Sequence, residues 1–131
     1  MIALDTNVLV RFIVRDHPDQ SRAAHDMMGR LSEGDPGFVC REVILELAWV
    51  LERAYGIDRQ RIADVLTGLI ASREVEVETA GEIAPAVAAW RDGGPSLADR
   101  MIVAAAARAG ARALVTFDRA AARLPGAELL E

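Results

Sequence analysis

Short apolar runs alternate with stretches of helical periodicity from one end of this chain to the other, which restricts it to a layered α/β arrangement. "MIALD" reads as a short buried strand over residues 1–5. "TNVLVRFIVRD" reads as a helix with Val8, Leu9, Phe12 and Ile13 at helical spacing, ended by His17-Pro18. A second helix, "DQSRAAHDMMGRLSEGD", closes at Gly34-Asp35-Pro36-Gly37. "FVC" is a strand, "REVILELAWVLERAYG" a helix stopped by Gly56, and "DRQRIADVLTGLIAS" a helix with Asp58 as N-cap. "EVEVE" alternates with period two, as a half-exposed strand does. "AGEIAPAVAAWRDGG" is helical with Pro85 near its first turn, and "SLADRMIVAAAARAGA" is helical again. "RALVTF" is a strand, "DRAAARL" a short helix and "AELLE" a last edge strand. The sheet is therefore mainly parallel, and without a repeat or linker the expectation is one domain over residues 1–131.

The composition narrows the function. A chain of 131 residues buries roughly 68% of its unfolded surface, enough for a core without staples. One cysteine, Cys40, excludes an internal disulfide and a Cys-based zinc site, and fits a reducing compartment as a small buried residue. An early first strand argues against a cleavable signal, and no apolar run nears ~20 residues, so a cytoplasmic protein without a membrane span is expected. All 15 basic residues are Arg, which removes every mechanism needing a catalytic lysine. Any anion must be held by Arg, backbone amides or a metal.

Four acids fall where a parallel sheet presents ligands, beyond the carboxyl ends of its strands. Asp5 follows the first strand and Asp118 follows "ALVTF". Asp99 lies in the first turn of a helix beginning near Ser96, and Glu46 in the first half of the helix after "FVC". Each also has a local role open to it. Asp5 and Asp118 can cap the helices after them, and "SLAD" is a capping box. Glu46 borders an apolar arc of Val43, Ile44, Leu47, Val50, Leu51 and Ala54, about 40° from Val50. Glu42 and Arg53 share that flank, so a solvated charged edge is the other reading. Carboxylates gathered in one crevice repel one another unless a cation sits among them. Neither His17 nor His25 is near them in sequence, and both read as surface residues. A hard divalent cation with oxygen ligands, Mg²⁺ or Mn²⁺, is favoured over Zn²⁺. Thr6, Asn7 and Thr116 are placed to orient carboxylates or water beside it.

The segments "ALDTNVLVRF", "REVILELAWVL" and "SLADRMIVAAAARAGARALVTFD" resemble the PIN-domain family, especially the VapC-type toxin ribonucleases of toxin–antitoxin pairs. The resemblance covers nearly the whole chain in the right order. It implies a three-layer α/β/α sandwich around a sheet of about five strands, with an acidic pocket for Mg²⁺, Mn²⁺ being a substitute. By position, Asp5, Glu46, Asp99 and Asp118 match the family's four acids, with Glu42 as fallback for Glu46. Thr6 and Thr116 match accessory hydroxyls. Ser96 stands where many relatives carry another aspartate, and Arg100 is unusual at its position. The implied reaction is RNA phosphodiester hydrolysis leaving a 5′-phosphate and a 3′-hydroxyl, with the acids as ligands rather than nucleophiles. Implied partners are an RNA substrate, a small antitoxin protein and a second copy of the chain.

Net charge −5 is unfavourable for nucleic acid overall, so local Arg must compensate. Arg11 and Arg15, four apart on the first helix, are expected to share a face, and Arg41, Arg100 and Arg119 adjoin the candidate ligands. Two other classes are considered. An aspartate-nucleophile phosphotransferase, or a phosphorylated receiver, requires a lysine, and the phosphotransferase also needs a second Asp where Asn7 stands. A PIN-like module that binds RNA or a protein without cleaving is kept open by Ser96.

Overall fold

A computed structural model describes residues 1–131. The chain is α/β, with six helices and five short strands, all paired in parallel. By contact it divides into two compact units, Met1–Ala80 and Gly81–Glu131.

The first unit holds β1 (Ile2–Ala3), α1 (Thr6–Val14), α2 (Pro18–Gly29), β2 (Gly37–Val39), α3 (Arg41–Arg53), α4 (Arg59–Ala71) and β3 (Val75–Val77). Its sheet has the order β1-β2-β3, with Ile2 opposite Gly37 and Phe38 opposite Glu76. Gly37 leaves room for two leucines: a Cβ there would stand 2.7 Å from Leu4 Cδ1 and 2.9 Å from Leu31 Cδ1, and both side chains would have to shift. α1 packs on α2 and α3, and α4 on α3 and β3. Leu9, Val39, Ile44, Leu47, Leu51, Ile62 and Leu66 are fully buried among these elements. Burying each such side chain is worth roughly 1.5–3 kcal/mol.

The second unit holds α5 (Ala80–Arg91, whose first residue belongs to the first unit), α6 (Leu97–Arg108), β4 (Leu114–Thr116), a 3-10 turn at Ala121–Arg123, and β5 (Ala127–Leu129). β4 and β5 pair in parallel, Val115 opposite Glu128. Its buried residues are Ile83, Val87, Trp90, Leu97, Met101 and Ala121.

Several expectations are corrected. The strands form a sheet of three and a sheet of two rather than one sheet of about five. β1 spans two residues and is exposed, and burial begins only at Leu4. α1 ends at Val14, ahead of His17-Pro18, because Arg15 turns into the left-handed region at φ 61°. Its buried face is Thr6, Leu9 and Val10 rather than a stripe through Phe12 and Ile13. α2 ends at Gly29, and Ser32 and Asp35 then close a small turn by exchanging backbone hydrogen bonds of 3.2 and 3.1 Å. Pro85 lies in the second turn of α5, not the first, so the Gly81 carbonyl lacks its usual intrahelical donor. "DRAAARL" forms only a 3-10 turn. No helix is long and apolar enough to cross a membrane.

Candidate active site

Asp5 is the N-cap of α1. Its extended backbone (φ −81°, ψ 161°) ends the strand direction and starts the helix, and its Oδ1 accepts the Thr6 amide at 2.8 Å. The second carboxylate oxygen makes no hydrogen bond. Asp5, Thr6 and Asn7 line a cleft of about 270 Å³ together with Arg11, Glu46 and Tyr55, over a floor of Val10 and Val50. Cap and cleft wall are thus one carboxylate in two roles.

Glu46 reaches the same cleft from α3. It is exposed rather than partly covered by the core, and no ion pair or hydrogen bond engages it. Ala54, expected in the apolar arc, is exposed because α3 stops at Arg53, while Ala48 is buried instead. Glu42 also lies exposed on α3 but does not line the cleft. Thr6, which lines the same cleft, is 5% exposed, and its buried Oγ1 has no hydrogen-bond partner. A buried hydroxyl without a partner costs roughly 1–3 kcal/mol.

Tyr55 was missed in the sequence because no periodicity marks it. It follows α3, and Gly56 at φ 63° turns the chain back so that the Gly56 and Ile57 amides bond to Glu52 and Leu51 carbonyls. The Tyr55 hydroxyl donates to Asp16 Oδ2 at 2.9 Å and accepts from Arg11 Nη1 at 3.3 Å. Arg11 also donates to Asp16 Oδ1 at 3.2 Å and to Gln20 Oε1 at 2.6 Å. This network ties α1, the turn after it, α2 and the end of α3 at the cleft rim. Arg11 is therefore committed, and Arg15, in its left-handed cap, no longer shares a helical face with it. A second hollow of about 310 Å³, walled by Val8, Ala23, Ala24 and Met27, also adjoins Asn7 and Arg11.

Two other arginines also have partners within the protein. Arg41 Nη1 donates to Thr79 Oγ1 at 2.6 Å, and its amide to Glu78 Oε1 at 2.8 Å, so it fastens the start of α3 to the end of β3. Arg100 is held by the loop that precedes its helix. Nη2 donates to the Gly93 carbonyl at 2.8 Å and Nε to Pro95 at 3.1 Å, pinning the loop before α6. His17 caps α2 through Nδ1. His25, expected at the surface, is half-buried; its Nε2 lies 3.1 Å from the Phe12 carbonyl and its ring meets Phe12 edge-on.

In the second unit Ser96 is the N-cap of α6, its Oγ accepting the Asp99 amide at 3.1 Å. Asp99 is half-buried in the first turn. Asp118 Oδ1 accepts the amides of Ala120 and Ala121 at 2.8 and 3.2 Å, and Thr116 Oγ1 accepts the Asp118 amide at 3.0 Å. Within neither unit do three or more Asp, Glu, His or Cys side chains gather into a set able to hold an ion alone.

The donors in the first unit's cleft are all oxygen, apart from the Asn7 amide nitrogen and the committed Arg11 guanidinium. Two carboxylates without ion pairs and an orphaned hydroxyl fit a hard cation, and Mg²⁺ is commonly held by one or two carboxylates with water completing its shell. The fit excludes a soft-metal site, since no thiol or imidazole lines the cleft.

The family model of the PIN domain matches residues 2–127. The chain belongs to the PIN domain family. PIN domains are generally metal-dependent nucleases, which agrees with an oxygen-lined cleft. No curated protein matches the sequence.

Proposed function

We propose that this PIN domain is a Mg²⁺- or Mn²⁺-dependent endoribonuclease, the toxin of a toxin–antitoxin pair. The observation that supports the reading best is that Asp5 and Glu46, neither in an ion pair, line one cleft with Thr6, whose hydroxyl has no partner. Asp99 and Asp118 are proposed to complete the ligand set, as the resemblance implies. The two units are taken to work as one domain, because a single family match spans both.

When bound, a divalent cation lowers the pKa of water and offsets charge on the phosphoryl oxygens. The chain's own contribution is placement. Asp5 is held at the cleft by its bond to the Thr6 amide, Glu46 by the rigid face of α3, and Asn7 is at hand for a phosphate oxygen or water. In the net reaction water adds to phosphorus and the 3′ oxygen leaves with a proton, giving a 5′-phosphate and a 3′-hydroxyl. No protein nucleophile is used.

The test is cleavage of purified cellular RNA by wild-type protein in Mg²⁺, in EDTA, and in EDTA followed by excess Mn²⁺, with the new RNA ends sequenced. Cutting that vanishes in EDTA and returns with Mn²⁺ supports the reading. Undiminished cutting in EDTA, or equal cutting by Asp5→Asn, overturns it. Binding of RNA or a protein without cutting would leave the non-cleaving PIN module. The toxin role is tested by inducing the protein alone and together with any short open reading frame that adjoins its gene. Growth arrest relieved by that neighbour, which then co-purifies, is expected. A dimer is expected in sedimentation.

A further inference from the structure

α3 carries Glu46, Trp49 and Arg53 at positions i, i+3 and i+7, a single stripe along the helix. Trp49 is 61% exposed, and no other aromatic ring in the first unit is as open. The four positions around it on the helix surface are Leu45, Glu46, Glu52 and Arg53. Three are charged and Leu45 is half-buried, so the ring does not sit in an apolar patch suited to a protein partner. Arg53 is exposed and has no ion pair or hydrogen bond, whereas the cleft's own Arg11 is held through Nε and Nη1 by Gln20, Asp16 and Tyr55. An open indole beside a free guanidinium is the pairing that holds a nucleotide, the base on the ring and the phosphate on the cation.

We propose that Trp49 is a stacking platform for an unpaired base of the RNA chain bound at Asp5 and Glu46, with Arg53 receiving the adjoining phosphate. The stacked base must be unpaired, since a base locked in a duplex offers no free face to the ring. This rests on the nuclease reading of the cleft, and it explains how a protein of net charge −5 holds a polyanion: stacking supplies affinity that the overall charge does not.

The experiment measures binding without turnover. Asp5→Asn protein in Mg²⁺ is titrated with a short unstructured oligoribonucleotide and with a hairpin of the same composition, while tryptophan emission is followed. Trp90 is 4% exposed, so quenching by a stacked base reports Trp49. The single strand is expected to quench saturably and the hairpin far less. Adding Trp49→Ala should abolish the quench and weaken binding roughly tenfold, while Trp49→Tyr keeps most of the affinity. Equal affinity in the Trp49→Ala protein, with no quench in its parent, overturns the platform. So does a dimer that dissociates on Trp49→Ala while RNA affinity is unchanged, which would make the stripe an interface between copies. Wild-type protein that binds and quenches yet leaves the RNA uncut keeps the platform and removes the nuclease reading, so the two fail separately.

Discussion

Asp5 in the first unit and Asp118 in the second both follow a parallel strand and both cap the turn that comes next, but they do unequal structural work. Asp5 accepts one amide, that of its immediate neighbour Thr6. Asp118 accepts two, and its own amide is fixed by Thr116. The helix after Asp5 has nine residues and packs on two others, so it does not depend on its cap. The turn after Asp118 is a 3-10 segment of three residues whose start is defined by that carboxylate. An acid with little structural work can be replaced at little cost in stability, whereas one that also holds a turn tolerates only a replacement that keeps the acceptor.

Substituting Asp5 should separate function from stability most cleanly. Asp5→Asn keeps an oxygen for the Thr6 amide and removes the charge. RNA cleavage is expected to fall by roughly 10²–10⁴-fold, the scale of losing several kcal/mol of cation-borne stabilisation. Stability should change by less than about 0.5 kcal/mol in urea unfolding. A large drop in stability would show that the carboxylate is chiefly a structural cap.

Asp118 should behave as a mixture. Asp118→Ala removes both amide bonds and should cost about 1 kcal/mol, while Asp118→Asn, keeping an acceptor, should cost much less. If Asp118 is also a ligand, the two variants lose cleavage to a similar degree despite their different stabilities. Full activity in Asp118→Asn would reduce this residue to a cap and sharpen the contrast with Asp5.

Ser96 has the cap as its one visible role in this series. Its Oγ meets the Asp99 amide, so Ser96→Ala should cost about 1 kcal/mol in thermal or urea unfolding, and cleavage at saturating Mn²⁺ should hold once the protein is folded. Loss of activity without loss of stability would instead assign it a part in the site. Ser96→Asp retains a good cap and adds a fifth acid to the candidate set; it should hold stability and tighten Mn²⁺.

These contrasts show what was legible from residue order. Local chemistry was readable: Asp58, Ser96 and Asp5 are N-caps because short polar side chains satisfy helix amides within a few residues, and Val75 and Val77 flank the exposed Glu76 as their alternation requires. The α/β alternation and the parallel pairing were readable for the same reason. The arginines were not. Arg11 finds Tyr55 across 44 residues and Arg41 finds Thr79 across 38, and long flexible side chains choose such partners by tertiary proximity, which periodicity does not encode. The end of α1 was misplaced because proline marks where a helix cannot continue, not where it stops.

Arg15 is where that misplacement becomes measurable, with the smallest effect. It ends α1 at φ 61° and ψ 32°, a conformation that crowds the Cβ of every residue but glycine, and it makes no hydrogen bond or ion pair in return. Arg15→Gly relieves that strain and gives back part of the gain through a freer unfolded chain, so a net stabilisation of about 0.5–1 kcal/mol is expected in thermal unfolding. Were its charge used on RNA, the same substitution would weaken binding evenly across sequences and reduce the salt dependence by about one ion. A more stable protein with unchanged salt dependence therefore leaves Arg15 as a helix terminus and places the cationic contribution on the stripe beside Glu46. A weaker, less salt-sensitive complex would extend the RNA track from α3 to the end of α1.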